Sequence, residues 1–389
     1  MTVLDYGSMR DENRGGHWLG WAVYLGMSWT WCIGMFLPVL LVREYEVWGW
    51  VVFAIPNVVG AAVMGWVLTR QQSAKLVERH REAVEAFSIV TVAFQMFFLA
   101  WFVSWRPVNA VSSVLGAAAL AVVFLWATRW RVMAWVVFVA SIGFWILAQP
   151  TSFNDQAWDM AKHYVRMMAG TVPVPPLRLE LLPLAAVCVF GFALCPYLDG
   201  TFHAAREALE DSKSRLAFSI GFGVFFLSMI LFTLQYAIEG IWRGPAWYWM
   251  TAMWVAPHVI TQLAFTIGVH IDRGGRRARV AAIALVIAAV AVIGMWMGAG
   301  GEMIYRLFMS FYGLVFPAYV WLCMLPTWNN PQRPSRRQWG VFAMSVMLAA
   351  PAFWVGFILG RMMWVLPGLA IVLLSRLLIS TRPAGELRA

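Results

Sequence analysis

Charged residues are scarce in this chain. Asp, Glu, Lys and Arg make up only 12% of its 389 residues, whereas 61% of the residues are hydrophobic. A typical soluble domain is about 25% charged, and a soluble fold of this length has no interior large enough to bury so much apolar surface. The shortage of charge therefore excludes a soluble globular protein. It indicates an all-α polytopic protein that works inside a lipid bilayer.

Cysteine is scarce as well, and several familiar motifs are missing. The four cysteines lie within apolar runs, which predicts buried thiols and no disulfide framework: Cys32, Cys188, Cys195 and Cys323. The spacing from Cys188 to Cys195 is unlike that of zinc ligands. No Walker-type glycine loop occurs, so a nucleotide-driven activity would have to come from another chain. We expect no cleavable signal peptide, because the first 17 residues are polar.

The net charge of +10 does not indicate a nucleic-acid partner. The basic residues come in short clusters between apolar runs, a pattern typical of the cytoplasmic loops of membrane proteins. The chain also carries 24 Trp and 26 Phe, as expected of helices with aromatic belts at the bilayer surface. We therefore expect the lipid bilayer, and no nucleic acid, as a partner. The oligomeric state stays open.

Twelve apolar runs are long enough to cross a bilayer, which takes about 20 residues. They lie at approximately 18–42, 47–69, 84–104, 110–128, 130–148, 181–205, 216–238, 246–270, 279–298, 303–325, 338–359 and 361–379. At Arg129 and at Arg361 two runs meet so closely that a single span is the alternative to two. Merging those at Arg129 would put the basic cluster at 273–279 outside, against the usual charge rule. We therefore predict one transmembrane domain over residues 1–389, in the cell membrane, with both termini cytoplasmic.

Only one connection between these spans is long. Residues 149–181 form a predicted external linker between spans 5 and 6, and they include Pro150, Pro173, Pro175 and Pro176. The stretch 156–168 fits a short amphipathic helix on the outer surface. A plain linker is the alternative, and the sequence favours it.

Two spans carry helix-breaking residues near their middles. Span 1 has Cys32, Gly34 and Pro38, and span 6 has Gly191, Cys195, Pro196, Asp199 and Gly200. Broken backbone at membrane depth is tolerated where it lines a cavity or packs on neighbours. The two spans are five apart and enter the membrane from opposite faces, which is the spacing of discontinuous helices in an inverted repeat of five plus five helices.

With these breaks at 32–38 and 195–200, twelve spans and internal termini, the chain resembles the LeuT-fold secondary transporters of the amino acid–polyamine–cation superfamily. The segment 28–68 is similar to the start of the sodium:solute symporter branch. The resemblance implies a first repeat at about 18–148, a second at about 181–325, and accessory helices at 338–379. It also implies transport of a small organic solute by alternating access. An unrelated polytopic fold is the alternative.

Candidate solute-binding residues surround the predicted breaks. Asp199 is an ionisable group within a span, which is expected to be functional, but it could instead cap the half-helix that begins near Thr201. The aromatic side chains favour an apolar or cationic solute, and His258 in span 8 is either a ligand or hydrogen-bonded packing. The predicted substrate-binding set is Trp31, Cys32, Gly34, Phe36, Gln95, Cys195, Tyr197, Asp199 and His258.

A coupling cation is implied by the same resemblance. Backbone carbonyls at Trp31 and Gly34 would meet the hydroxyls of Thr261 and Thr266 in span 8. The adjacent hydroxyl pair usual in the family is missing here, so Na⁺, H⁺ and no coupling ion all stay open. We expect no metal and no organic cofactor. The chain is predicted not to be an enzyme; the alternatives are a non-transporting sensor or scaffold, and a membrane subunit of an enzyme or redox complex.

Overall fold

The computed structural model describes residues 17–104, 129–152, 177–240, 245–272, 300–328 and 332–379. Within these ranges the chain is helical and has no β-strand, so the predicted all-α class is confirmed for them. Predicted spans 4 and 9, at 110–128 and 279–298, lie outside the described residues. The stretch 156–168 of the external linker lies outside them as well.

Helix is the structure expected for these runs, because a segment in lipid must satisfy its own backbone hydrogen bonds. In chain order the helices are α1 (Trp18–Trp29), α2 (Cys32–Val67), α3 (Arg70–Arg79), α4 (Arg81–Ser104), α5 (Trp130–Ser152), α6 (Leu181–Leu194), α7 (Gly200–Ala208), α8 (Asp211–Ile220), α9 (Leu227–Gly240), α10 (Pro245–Asp272), α11 (Gly301–Tyr319), α12 (Arg336–Phe357) and α13 (Val365–Leu374). A π-helical stretch, Gly221–Phe226, joins α8 to α9.

Six described stretches are long and apolar enough to cross a membrane by length and composition: Cys32–Val67, Arg81–Phe102, Leu181–Leu198, Asp211–Ala237, Gly301–Thr327 and Arg336–Phe357. Shorter apolar helices cover Trp130–Ile146, Trp254–Val269 and Met362–Leu378. On α2, the side chains of Ile55, Val59 and Val63 are exposed at four-residue spacing along one face. A large exposed apolar face of this kind suits contact with lipid. The helices therefore indicate a multi-pass membrane protein.

Segment α2 contains the junction of predicted spans 1 and 2. Glu46 lies inside it with φ 56° and ψ −151°, so two helices meet there at a kink. A positive φ is strained for a residue with a Cβ. Arg178 lies 4.0 Å from the Glu46 carboxylate and provides a counter-charge at the kink. The junction therefore falls between residues 42 and 47, where the two predicted spans are separated.

Predicted spans 11 and 12 are separate helices. The first, α12, ends at Phe357, and Gly360 follows with φ 69°. Glycine adopts this left-handed conformation without the steric cost of a Cβ. After a short 3₁₀ turn at Met362–Trp364, α13 begins at Val365. The junction at Arg361 is thus a turn. The comparable junction at Arg129 adjoins residues 105–128, which lie outside the described ranges.

Predicted span 1 is interrupted, but the interruption lies earlier than the sequence indicates. α1 ends at Trp29, Thr30 and Trp31 are non-helical, and α2 begins at Cys32. Trp31 is extended, with φ −123° and ψ −178°. The helix then continues through Gly34 and Pro38, where we expected the break. A proline removes one helical hydrogen bond, but α2 is not interrupted at Pro38.

Predicted span 6 is interrupted where its sequence indicates. α6 ends at Leu194, and Cys195–Leu198 form a 3₁₀ turn. Asp199 is extended, with φ −81° and ψ 114°, and α7 begins at Gly200. Pro196 cannot donate a backbone hydrogen bond, which favours the end of the helix at this point. The predicted break in span 6 is confirmed.

Glycines allow the interrupted helices to pack closely on their neighbours. A Cβ on Gly26 of α1 would lie 2.8 Å from the Phe225 Cβ and 2.9 Å from the Gly221 carbonyl. A Cβ on Gly60 of α2 would overlap the Phe192 carbonyl of α6. Small residues at such crossings let helix backbones approach one another in membranes. The two interrupted spans are therefore held by direct backbone contact with spans 7 and 2.

The connection between predicted spans 2 and 3 contains a helix that the span count assigned to a loop. α3 begins with a capping box, in which Thr69 accepts a hydrogen bond from the Gln72 amide and the Gln72 side chain accepts one from the Thr69 amide. Ser73 of α3 lies 2.7 Å from the His203 Nδ1 of α7. The helix thus packs against the second half of interrupted span 6.

Candidate functional site

A cavity of about 80 Å³ lies between the two interrupted spans. Its walls come from α1 and α2, from α6, from α11, and from the end of α12 with the turn before α13. The wall includes Trp29, Trp31, Ile33, Leu37, Glu44, Val187, Cys188, Gly191, Cys195, Arg306, Met309, Tyr312, Phe357 and Met362. We call this cavity the chamber. A cavity between the helices of a bundle is a usual place for a binding site.

The two interruptions touch each other beside the chamber. The Thr201 hydroxyl oxygen lies 3.3 Å from the Ser28 hydroxyl oxygen, and this polar contact joins α7 to α1. The rings of Trp29 and Phe202 are 4.9 Å apart. Ser28 and Trp29 directly precede the break in span 1, and Thr201 and Phe202 directly follow the break in span 6. The unwound residues of both spans therefore belong to one contiguous region.

Aromatic side chains at the chamber are fixed by contacts behind its wall. The Trp29 Nε1 donates to the Asn57 Oδ1 of α2 at 2.5 Å. The Tyr312 hydroxyl forms a 2.5 Å hydrogen bond with Thr91 of α4. Trp31 packs edge-on against Tyr312, with ring centroids 5.2 Å apart. These contacts orient the rings before any solute arrives, which lowers the entropy cost of binding.

Backbone groups after the first break are partly satisfied by tyrosines. The Tyr305 hydroxyl of α11 donates to the Cys32 carbonyl at 3.0 Å, and the Tyr236 hydroxyl of α9 donates to the Met35 carbonyl. Pro38 has no N–H, so the Gly34 carbonyl loses its usual helical donor four residues on. The Gly34 carbonyl, close to the break, is therefore left without a helical donor because proline has no N–H to offer.

Ion pairs form a network at one end of the chamber, which is the predicted outer end. Arg43 of α2 makes two hydrogen bonds to the Glu302 carboxylate of α11, at 2.5 and 3.1 Å. Arg306 contacts Glu302 at 2.9 Å and also pairs with Glu44. The Arg178 guanidinium donates to the Glu44 carbonyl at 2.9 Å. These contacts join span 1, span 10 and the segment before span 6; we call them the outer network.

Asp199 acts as a helix cap in this arrangement. Its Oδ1 accepts a hydrogen bond from the Thr201 amide at 2.8 Å and another from the Thr201 hydroxyl at 2.7 Å. The side chain is buried and is not part of the chamber wall. Of the two roles that the sequence left open for Asp199, the capping role is the one that these contacts describe.

Four other predicted residues lie at or close to the chamber. Trp31 and Cys195 are in its wall. Cys32 is buried on α2, and its carbonyl accepts the bond from Tyr305. Gly34 lies near the Phe226 ring, which a Cβ added to this glycine would meet at 3.8 Å. The structure therefore places Trp31 and Cys195 in the chamber wall, and Cys32 and Gly34 beside the wall residues Trp31 and Ile33 along α2.

Two predicted aromatic residues pack away from the chamber. Phe36 contacts Trp101 and Tyr305, with ring centroids at 5.3 and 5.0 Å, in an aromatic block between α2, α4 and α11. Tyr197 packs edge-on against Trp328 at 5.0 Å. Neither side chain belongs to the chamber wall, so their contacts are those of packing between helices.

The predicted residues of spans 3 and 8 are also separate from the chamber. His258 bonds through Nε2 with the Ser141 hydroxyl of α5 at 2.8 Å. Thr261 donates to the Pro257 carbonyl at 2.7 Å, and Thr266 accepts from Gln262 at 3.4 Å, both within α10. Gln95 is buried, and its amide has no hydrogen-bond partner among the described residues. The hydrogen bonds of the described residues do not link these groups to Trp31 or Gly34.

Sequence reasoning missed the residues that complete the chamber. Tyr312, Arg306, Met309 and Phe357 come from span 10 and from an accessory helix, which the inverted-repeat argument did not assign to the site. One available signal was the four-residue spacing of Glu302 and Arg306, which places both on one helix face. The pairing of that face with Arg43 and Glu44 is a long-range contact that the spacing does not reveal.

All four cysteines are free thiols and buried. In the part of the chain that the structure describes, no cluster of three or more His, Cys, Asp or Glu side chains is arranged to hold a metal ion. No model of a known protein family matches the chain, and no curated protein matches it.

Proposed function

We propose that the chain is a secondary transporter that moves a small organic solute across the membrane by alternating access, with the chamber as its solute site. The observation that carries this proposal is the meeting of two interrupted spans beside one cavity. An unwound segment at membrane depth leaves backbone groups without helical hydrogen bonds, which is unfavourable in lipid. Such a segment is expected where its backbone groups line a cavity. The two interrupted spans are the first and the sixth, with four predicted spans between them, and this spacing supports a repeat of five plus five helices within twelve spans.

The outer network supports the proposal because it can act as a closure. It joins span 1 to span 10 across one end of the chamber through side chains that are partly exposed to solvent. Ion pairs of this kind are individually weak, so they can break and re-form during a transport cycle. Their position between two wall helices means that breaking them would let those helices separate.

Contacts at the opposite end support a second closure. Arg206 of α7 is almost fully buried; its Nε donates to the Leu68 carbonyl at 2.7 Å, and its guanidinium also pairs with Asp211. Together with the Ser73–His203 contact, these bonds attach α7 to α3 and to the end of α2. A carrier needs one closure on each side of its site, and these contacts suit the predicted cytoplasmic side.

Coupling to Na⁺ or H⁺ remains part of the proposal. The carbonyl freed by Pro38 at Gly34 supports a cation site near the first break. The hydroxyls of Thr261 and Thr266 would have to exchange their present partners to join it, because both bond within α10. A coupling ion would therefore bind in a different arrangement of span 8.

The experiment uses a native thiol as a reporter of access. In a variant that keeps Cys195 and has alanine at positions 32, 188 and 323, a membrane-impermeant methanethiosulfonate reagent is applied to each face of reconstituted vesicles. We expect Glu302→Gln to raise the modification rate of Cys195 from the predicted outer face by about tenfold, since one weakened closure shifts the equilibrium by about 1.4 kcal/mol. The rate from the inner face should fall in the same variant.

The matched control is Glu85→Gln, which removes a surface ion pair with Arg81 that is remote from the chamber. It should leave both rates unchanged. Rates that rise on both faces, or a Cys195 that no reagent reaches from either face, would contradict alternating access. That result would favour a sensor, a scaffold or a rigid subunit of a larger complex.

A further inference from the structure

The chamber wall is apolar over nearly all of its surface. Ile33 and Leu37 of α2, Val187 of α6, Met309 of α11 and Phe357 of α12 contribute aliphatic or aromatic surface. The charged members of the wall are Glu44 and Arg306, both at the predicted outer end. A solute that enters the chamber therefore exchanges water for hydrocarbon on most sides.

The two charges in the wall neutralise each other. Arg306 pairs with Glu44 and with Glu302, and Arg43 lies 3.8 Å from the Glu44 carboxylate. A cationic solute that approached Glu44 would also meet these guanidinium groups. An anionic solute that approached Arg306 would meet two carboxylates. Neither sign of charge has an uncompensated partner in the described wall.

The polar groups of two wall aromatics, Trp29 and Tyr312, are also engaged elsewhere. The Trp29 Nε1 is bonded to Asn57, and the Tyr312 hydroxyl is bonded to Thr91. The nearest buried carboxylate on the broken segment, Asp199, accepts two bonds from Thr201. A polar solute would leave most of its own hydrogen bonds unmade on entry, and an unmade hydrogen bond in a buried site is unfavourable.

The rings could attract a cation, but they do not offset its desolvation. Trp31 and Tyr312 present aromatic surface of the kind that binds cations by cation–π contact. Such contacts are weak beside the free energy of removing a charge from water into an apolar site. A buried organic cation therefore needs a free carboxylate beside the rings, and the one carboxylate of the described wall, that of Glu44, is paired with Arg306.

Size restricts the solute further. At about 80 Å³, the chamber is smaller than an apolar cavity of about 150 Å³ that accepts benzene. From these observations, and resting on the proposed function, we infer that the chamber takes a compact, uncharged, predominantly apolar solute and not an amino acid, a sugar or an organic cation. The inference selects the apolar solute from the apolar-or-cationic alternative left by the sequence.

Gly191 gives a direct test of this inference. It lies in the chamber wall, and a Cβ added there would meet no described atom within 4 Å, so a side chain at this position has room to extend into the chamber. Gly340 of α12 is equally unobstructed but lies on an exposed face away from the chamber. Gly191→Val should therefore fill the chamber, and Gly340→Val serves as the matched control.

Thermal unfolding of the full chain in lipid nanodiscs is measured with three solutes of similar size and different charge. These are ethanethiol with a reductant, ethylammonium, and free glycine as a zwitterion. We expect the uncharged thiol to raise the unfolding midpoint by about 2 °C. The increase should persist in Gly340→Val and disappear in Gly191→Val, and the two charged solutes should produce no increase.

Stabilisation by ethylammonium or glycine that is lost only in Gly191→Val would overturn the inference. An unchanged midpoint with all three solutes would overturn it as well. Either result is separable from failure of the proposed function, because the access of Cys195 from the two faces is measured without any solute. Reciprocal access with binding of a charged solute would retain the transporter and reject the apolar solute class.

Discussion

At the residue scale, Asp199 is a position where a mutation can change the stability of the fold, the binding of a solute, or both. Its carboxylate accepts two hydrogen bonds at the start of α7, where the amide groups of the first turn point outward and the helix dipole favours negative charge. These contacts explain a buried acidic residue in a span without any solute. They also mean that a loss of function on mutation would need to be separated from a loss of the cap.

Two substitutions at Asp199 make that separation. Asp199→Ala removes the acceptor and should lower the free energy of unfolding by about 1 kcal/mol, the usual cost of losing an N-cap. Asp199→Asn keeps an acceptor oxygen, so its thermal midpoint in nanodiscs should stay close to that of the unmodified chain. If the asparagine variant loses as much stability as the alanine variant, the charge itself holds the break together, and Asp199 is more than a cap.

At the element scale, the crossing of α2 and α6 depends on the absence of a side chain at Gly60. A Cβ there would overlap the Phe192 carbonyl and lie 2.9 Å from the Ala193 amide, and these are backbone atoms that move only with the whole helix. Gly60→Ala should therefore lower the free energy of unfolding by about 1–3 kcal/mol, the usual cost of overpacking. Thermal unfolding in nanodiscs measures the change.

Gly340→Ala is the control for that crossing. Its added methyl group meets no described atom within 4 Å, and alanine favours a helix over glycine by about 1 kcal/mol. The control should be neutral or slightly stabilising. Equal losses in both variants would mean that glycine is needed for helix formation in general and that the close contact of α2 with α6 has no special weight.

The position of a helix break can be predicted from the sequence when the residues that determine it lie within a few positions of the break. The break in span 6 coincides with Pro196, Asp199 and Gly200, whose backbone preferences act within a few residues. The break in span 1 lies at Thr30 and Trp31, before the expected residues, where the Trp29–Asn57 bond and the packing of Gly26 on span 7 come from distant parts of the chain. Local preferences alone could not place it.

The helix α3 and the outer network illustrate the same limit. The capping box of Thr69 and Gln72 is a local signal that a search for apolar runs overlooks, since α3 is amphipathic and short. The Arg43–Glu302 pair joins residues 259 positions apart, so no spacing rule reveals it. The chamber could therefore be anticipated as a region between spans 1 and 6, but not with its walls from span 10 and from α12.

At the scale of the whole molecule, one buried histidine connects three parts of the fold. His80 lies at the junction of α3 and α4, and its Nδ1 is 3.0 Å from the Tyr319 hydroxyl at the end of α11. Tyr319 in turn packs against Trp339 and Phe342 of α12, at 5.5 and 5.6 Å. The accessory helix is thus tied to the predicted cytoplasmic end of the bundle through a group that can titrate.

This position makes the stability of the whole protein depend on pH. Burial lowers the pKa of His80 from 6.5 to about 4, because the charged imidazolium is poorly solvated there. The folded protein therefore keeps a neutral ring while the unfolded chain takes up a proton below pH 6.5. The stability that the fold gains from keeping His80 neutral is fully present above pH 6.5 and is lost as the pH falls towards 4. Over this range His80 lowers the free energy of unfolding by at most about 1.4 kcal/mol per pH unit.

The measurement compares unfolding in nanodiscs at about pH 7 and about pH 5. His80→Asn keeps a polar group at the position of Nδ1 but cannot titrate, so it should lose less stability than the unmodified chain on acidification. Tyr319→Phe removes the hydroxyl and leaves the imidazole buried, so it should keep the full pH dependence at a lower overall stability. Since other groups titrate in this range, the quantity to compare is the difference in pH dependence between the variants.

Identical pH dependence with histidine and with asparagine would mean that the ring reaches water in the folded protein, and that the junction of α3, α11 and α12 opens readily.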